Sequence, residues 1–234
     1  MAKPDVRIGV VIPAWNEAER IASTVQAVRS IPSVDEVWVI DDGSTDSTAS
    51  QARAAGARVV SLERNQGKGR ALEVGVHACP AEVIMVLDAD LEASAVEAAA
   101  LLPPVLNGEA DMTVARFPRQ RPAGFGLVRG LARWGIRRLT GLTMESPLSG
   151  QRAARKEVFT AVRFAEGWGI EVALTIDAAR RGYRIKEIPV NMTHRETRRD
   201  WQGFVHRGRQ FAAVARELIP RLLWRGGPEC SSRG

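Results

Sequence analysis

The chain has 234 residues, 45% of them hydrophobic and 26% charged. That suits one compact domain with a core of its own and argues against a disordered or membrane-spanning chain. The net charge of +6 has its excess late, at Arg195, Arg198, Arg199, Arg207, Arg209, Arg216, Arg221 and Arg225; the aromatic residues there do not alternate with the arginines as they would in a single-strand binding groove, which ranks nucleic acid below a phosphorylated substrate or an anionic membrane surface.

In chain order, RIGVVI (7–12), EVWVI (36–40), ARVVSL (57–62), EVIMVL (82–87) and DMTVA (111–115) read as strands. Each is a near-continuous apolar run, as expected where both faces of a sheet are covered. Helical patterns lie between them, over about 17–30, 45–55, 67–78 and 94–106. Ser44-Thr45-Asp46 is expected to open the second helix and Ser94 to cap the fourth. The alternation predicts an α/β fold with a mostly parallel, doubly wound sheet.

After residue 116 the rhythm changes. FPRQRPAGFG (117–126) reads as a loop, 127–139 as a helix and TGLTMESPLSG (140–150) as a second loop. SGQRAARKEVF continues as a short strand and helix. GIEVALTIDAARRG (169–182) is a helix with a glycine stop, and YRIKEIPVNM (183–192) a strand whose Pro189 belongs near an edge. The last segment, about 201–224, is an amphipathic helix interrupted at Pro220, with Phe204, Phe211, Ala215, Leu218 and Leu222 in one stripe. Packing against the domain or a second copy (a homodimer) is the expectation for that stripe; peripheral membrane contact is the sharper alternative. This divides the chain into 1–200, with halves 1–116 and 117–200, and a C-terminal helix and tail, 201–234.

The N-terminal stretch shows no signal-peptide pattern. Cys79 and Cys230 have no metal-like spacing and read as unpaired thiols. A cytoplasmic location is expected, with the inner membrane surface left open.

The residues after each strand carry the chemistry. Strand one runs into Pro13-Ala14-Trp15-Asn16-Glu17, strand two into Asp41-Asp42-Gly43-Ser44, and strand four into Asp88-Ala89-Asp90. Asn65-Gln66-Gly67-Lys68-Gly69 follows strand three. In a parallel sheet all four share one rim, where ligands bind. Asp41 and Asp42 are acceptors for a base or a ribose. Gly67 and Gly69 let backbone approach a ligand, and Lys68 adds positive charge. Asp88 and Asp90, two residues apart in an extended segment, would point the same way and repel unless a cation such as Mg2+ or Mn2+ lies between them. Alone, each motif is also an ordinary turn, cap or strand end; their succession favours a site.

PAWNE, VIDDGSTDST, NQGKGRAL and LDAD, in that order and spacing, resemble the nucleotide-sugar glycosyltransferases of family 2, with the GT-A fold, over about residues 7–211. The resemblance implies a UDP- or GDP-hexose donor. It also implies a metal at Asp88 and Asp90, with Asp90 as main contact, a nucleoside held by Asp41, Asp42, Pro13, Ala14 and Glu17, and a donor site completed by Gly67, Lys68, Asp88 and Ala89. SPLSGQRAARKE and GWGIEVALTIDAARRGYRIKEIPVNMTHRETRRD resemble two branches, the polyprenyl-phosphate hexosyltransferases and the glucosyl-3-phosphoglycerate synthases. In the second, the histidine matching His194 is a metal ligand. Glu196 stands where that branch has Asn, and Glu92 where the first commonly has Gln, so the acceptor stays open between the two.

Such a transfer builds negative charge on the leaving diphosphate. The metal would meet it, with Lys68 and Arg195 adding positive charge. Glu171 is the candidate base for a hydroxyl acceptor; a helix-dipole charge is its plain alternative. A sugar-phosphate nucleotidyltransferase would place a Gly-rich basic loop where PAWNE stands. A non-catalytic nucleotide-sugar binding module is the remaining alternative.

Overall fold

The computed structural model describes residues 6–117, 126–165, 169–192 and 201–223, with the side chains of 201–210 and 223 left aside. Its strands are β1 (Ile8–Ala14), β2 (Glu36–Asp41), β3 (Arg58–Ser61), β4 (Val83–Val86), β5 (Met112–Arg116), β6 (Arg152–Arg155) and β7 (Ile185–Pro189). Its helices are α1 (Ile21–Arg29), α2 (Thr48–Ala54), α3 (Lys68–Ala78), α4 (Leu102–Leu106), α5 (Leu127–Thr140), α6 (Lys156–Ala161), α7 (Ile170–Arg180) and α8 (Trp201–Leu223), with a 3-10 segment at Glu92–Leu101.

The sheet order is β3-β2-β1-β4-β6-β5-β7. β1 pairs parallel with β2 and β4, and β2 with β3. β6 runs antiparallel between β4 and β5, and β7 pairs parallel with β5. The ends of β1 to β4 therefore share one rim, as the βαβ order requires. Pro189 sits on the edge strand β7, where its missing N–H costs no ladder bond.

Alternation along the strands feeds two cores. Ile8, Val10, Ile12, Val83 and Met85 face one, under α1, α2 and the 3-10 segment. Val11, Ile40, Ile84 and Val86 face the other, under α3, α6 and α7. Each fully buried Val or Ile contributes about 1.5–3 kcal/mol, so register is strongly set. On the second face α3 lies on β1 and β2 at a glycine: a Cβ at Gly75 would sit 2.4 Å from Val11 Cγ1 and 2.8 Å from Ile40 Cγ1.

Three expectations need correction. Residues 94–106 are not one α-helix but the 3-10 segment followed by α4. Pro103 and Pro104 lack N–H donors and occupy the start of α4, so no α ladder can cross them. Ser94 does not cap; its hydroxyl donates to Leu91 O at 2.6 Å inside the segment. Pro220 does not interrupt α8. It falls in the last turn, which Arg221 ties down with bonds to Asp177 Oδ1 (2.8 Å), Asp177 Oδ2 (2.6 Å) and Glu217 Oε2 (2.6 Å).

The stripe of α8 is also shifted. Val214 and Leu218 are the buried pair, while Phe211 is 43% and Leu222 36% exposed. Leu218 seats on Gly135 of α5, where a Cβ would lie 2.4 Å from its Cδ2. The side chain of Phe204 lies outside the described residues.

Two stability predictions follow from these contacts. Gly75→Ala forces α3 off stiff β-branched neighbours and should cost about 1–3 kcal/mol in urea unfolding. Arg221→Ala leaves Asp177 and Glu217 partly buried without their cation; it should cost about 2 kcal/mol by the same measurement, and an unchanged midpoint would mean the ion pairs do not hold α8.

Candidate active site

The rim is built by loops that lock one another. Asn16 turns at φ 55, a conformation Asn tolerates better than most residues. Its N–H donates to Ser44 Oγ (2.9 Å), and its Oδ1 accepts from Thr45 N (2.9 Å). Glu17 N donates to Thr48 Oγ1 at 2.8 Å, and Arg20 Nη1 donates to Glu17 Oε2 at 2.8 Å. Thr48 N in turn donates to Asp46 Oδ1 at 2.9 Å, so Asp46 tethers the start of α2. Hydrogen bonding from Thr48 outweighs burial and holds the Asp46 carboxyl below its ordinary value.

Asp41 and Asp42 are both buried. Asp42 N donates to Ala14 O at 2.8 Å, and Ala14 pairs with Asp41 across the ladder, with Pro13 opposite Ile40. The Asp42 carboxylate accepts from Gln66 N and Gly67 N, each at 2.8 Å. It therefore anchors the loop that leads into α3. Asp41 Oδ1 accepts from Ser44 N at 3.2 Å. Gly67 needs its freedom for φ +89, and Gly69 for contact: a Cβ there would meet Ala165 O at 2.2 Å. The two glycines thus serve to place Lys68.

Lys68 opens α3, and its ammonium joins two distant elements. Nζ lies 2.7 Å from Asp88 Oδ1 and 2.9 Å from Glu171 Oε1. Burial alone would lower the Lys68 pKa; the attraction and hydrogen bonds of Asp88 and Glu171 outweigh it and raise it. Lys68 is therefore charged throughout the physiological range. Glu171 stands in the first turn of α7 and is 8% exposed. Gly150 faces this pair: a Cβ there would lie 2.8 Å from Lys68 Nζ and 2.9 Å from either Asp88 carboxylate oxygen.

Asp88 and Asp90 do not lie in an extended strand. β4 ends at Val86, and Ala89-Asp90 form a turn, so the alternation of an extended strand does not apply to them. Asp88 turns toward α3 and β6. Asp90 lies on the Arg20 side, where it adds to the fields of Glu17 and Glu19 that raise the Arg20 pKa after the Glu17 hydrogen bond. Among the described residues Asp90 has no hydrogen bond or ion pair. Ala89 is buried, and its carbonyl accepts from Thr24 Oγ1 at 2.8 Å. His194 and Arg195 lie outside the described residues.

Two residues that sequence reasoning missed complete the cluster. Gln151 Nε2 donates to Asp88 Oδ2 at 2.6 Å, so both Asp88 oxygens are engaged. Arg152, 1% exposed, bonds Ser149 O (3.1 Å), Thr175 Oγ1 (2.9 Å) and Glu171 O (2.8 Å). It pins the first turn of α7 and hence Glu171. Burial pushes the Arg152 guanidinium down to about 10, opposed by Glu171 and Glu187; it stays charged at neutral pH. Both stand within SGQRAAR, which reads as a short strand and as part of the family resemblance, with no role given to either residue. A depression of about 270 Å3 lined by Arg116, Met144 and Glu187 lies elsewhere, so enclosure does not mark the chemistry here.

Comparison with known proteins agrees on one family. The pattern described as glycosyl transferase family 2 matches residues 9–165. Glucosyl-3-phosphoglycerate synthase of Mycobacterium tuberculosis is 32% identical, over 97% of this chain and 75% of its own length. Dolichyl-phosphate hexose transferase of Haloferax volcanii is 30% identical, over 92% of this chain and 96% of its own. A crystal structure of the M. tuberculosis synthase with Mn2+, UDP and phosphoglyceric acid superposes with a TM-score of 0.79, at 29% identity, over 95% of this chain and 80% of that one. These matches share the α/β sheet of the GT-A fold, and the chain belongs to glycosyltransferase family 2.

Proposed function

We propose that this glycosyltransferase moves a glucosyl group from UDP-glucose to a small phosphorylated acceptor of the phosphoglycerate class, with Mn2+ or Mg2+ as cofactor. The observation that carries this is the Lys68 ammonium held between Asp88 and Glu171 at the strand-end rim. It fixes an ammonium donor at the rim where a diphosphate would leave, with its charge balanced by the two carboxylates until a metal and substrate bind. The similar M. tuberculosis synthase has been crystallised with Mn2+, UDP-glucose and phosphoglyceric acid, which supports the choice of donor, metal and acceptor. The Haloferax relative supports a polyprenyl phosphate as the second acceptor to assay.

The residues fit a hard, oxygen-preferring cation. Asp90 offers a half-buried carboxylate without a protein partner among the described residues, whereas Asp88 is committed to Lys68 and Gln151. Asp90 is the cation's main ligand in this reading, with His194 as a second ligand and Asp88 as the residue that orients Lys68. Bound there, the cation would neutralise charge on the departing diphosphate.

The remaining roles fall to this chain's own groups. Asp41, with one oxygen left over from Ser44, takes the nucleoside, and Pro13, Ala14 and Glu17 wall it. Asp42 and Gly67 hold the loop that presents Lys68. Arg195 adds positive charge at the diphosphate. Glu171, fixed by Lys68 and Arg152, accepts the proton of an acceptor hydroxyl. Residues 1–116 hold the donor and 117–200 the acceptor, with 201–234 as a C-terminal extension. Among the described residues no helix is long and apolar enough to cross a membrane; a cytoplasmic location is part of the proposal.

Incubation with UDP-glucose, Mn2+ and 3-phosphoglycerate should release UDP and form a glucosylated product. Release with no phosphorylated acceptor tried, polyprenyl phosphate included, would sink the proposal if it stayed at the acceptor-free rate. Asp90→Ala should remove Mn2+-dependent UDP binding in calorimetry; undiminished binding would take Asp90 out of the site. Lys68→Met should lower kcat by roughly 10²–10³-fold, the usual scale for one electrostatic stabiliser, and a change under twofold would reduce Lys68 to a structural role.

A further inference from the structure

The solvent side of α5 is unlike an ordinary exposed helix face. At 100° per residue, Arg129, Arg133, Arg137, Gly130, Trp134, Leu127 and Arg138 succeed one another around one arc. All are exposed, Leu127 by 67% and Trp134 by 53%. The opposite arc, with Ala132, Gly135 and Ile136, is buried against the domain. No acidic residue occurs anywhere in α5. Arg129, Arg133 and Arg137 stack at spacings of four, an arrangement in which like charges destabilise a helix by about 0.2–0.5 kcal/mol per pair. Among the described residues none of the four arginines has an ion-pair partner. On α3, by contrast, Arg70 is matched by Glu73 at 2.7 Å.

We propose that this face of α5 docks on an anionic lipid bilayer. Leu127 and Trp134, seven residues apart, sit on the same side, between Arg137 and Arg138 on the arc. That places two apolar side chains where they can enter the headgroup boundary while the arginines meet anionic lipid. The helix spans about 21 Å, enough to lie along a surface. A second copy docked by two-fold symmetry would set arginine against arginine, so a homodimer across this face is disfavoured. Nucleic acid would engage the arginines and could stack on Trp134 but would leave Leu127 in water. The inference does not rest on the donor or acceptor proposed above, because docking requires neither.

Flotation of the full chain with phosphatidylcholine vesicles, with and without phosphatidylglycerol, tests it without any substrate. The protein should float with the phosphatidylglycerol vesicles at low ionic strength, lose this as salt rises, and stay behind with phosphatidylcholine alone. Arg133→Glu/Arg137→Glu should weaken binding by roughly tenfold or more. Trp134→Ala should weaken it less. Both variants should keep their circular dichroism and their rate of UDP release on soluble acceptor. No flotation at low salt would overturn the docking. So would flotation that neither variant reduces, or tighter binding to an oligonucleotide than to vesicles.

Discussion

The site depends on one ammonium group shared by two carboxylates. Asp88 follows the end of β4 and Glu171 lies in the first turn of α7, 83 residues later in a chain of 234; both lie within hydrogen-bond reach of Lys68 Nζ. Without the lysine, two like charges held on either side of one nitrogen would repel by roughly 3 kcal/mol at an intermediate dielectric. Several local choices make sense only with that contact in view. Gly69 lets α3 reach Ala165 O, Gly150 leaves room above the pair, and Asp42 clamps the amides of Gln66 and Gly67 just before the lysine.

β6 supplies the other half of the arrangement. It is the strand that opposes the parallel direction of the sheet, so its start, not its end, lies at the rim beside Asp88. Gln151 there completes the hydrogen bonding of Asp88. Its neighbour Arg152 goes beneath and fixes the backbone of Glu171. A buried guanidinium is expensive to desolvate. Here it meets oxygen acceptors on three sides, and the result is a Glu171 whose position is set from below by Arg152 and from the side by Lys68.

The parallel strands, their rim and the polar groups on it were legible because uninterrupted apolar runs and turn residues are local signals. The pairing of Lys68 with Asp88 and Glu171 was not. It joins elements distant in sequence, and nothing in GKG or GWGIE names a partner. In DAD one expectation failed: its spacing suggested an extended tip, but the strand ends at Val86 and Ala89-Asp90 form a turn. The break at Pro103-Pro104 was visible in principle, since proline's missing donor stops an α ladder, but the alanine-rich run before it favoured one long helix. For α8 the amphipathic pattern was visible, but which stripe faces inward was decided by Gly135 and by the bonds of Arg221 to Asp177, neither of which the helix itself encodes.

The assignment of roles turns on which carboxylate the metal takes. Crystals grown with Mn2+ and UDP-glucose, measured at a wavelength where manganese scatters anomalously, would locate the ion directly. The account predicts a manganese peak against the Asp90 carboxylate, with Lys68 Nζ still between Asp88 and Glu171. A peak seated between Asp88 and Glu171, with the lysine side chain displaced, would contradict it.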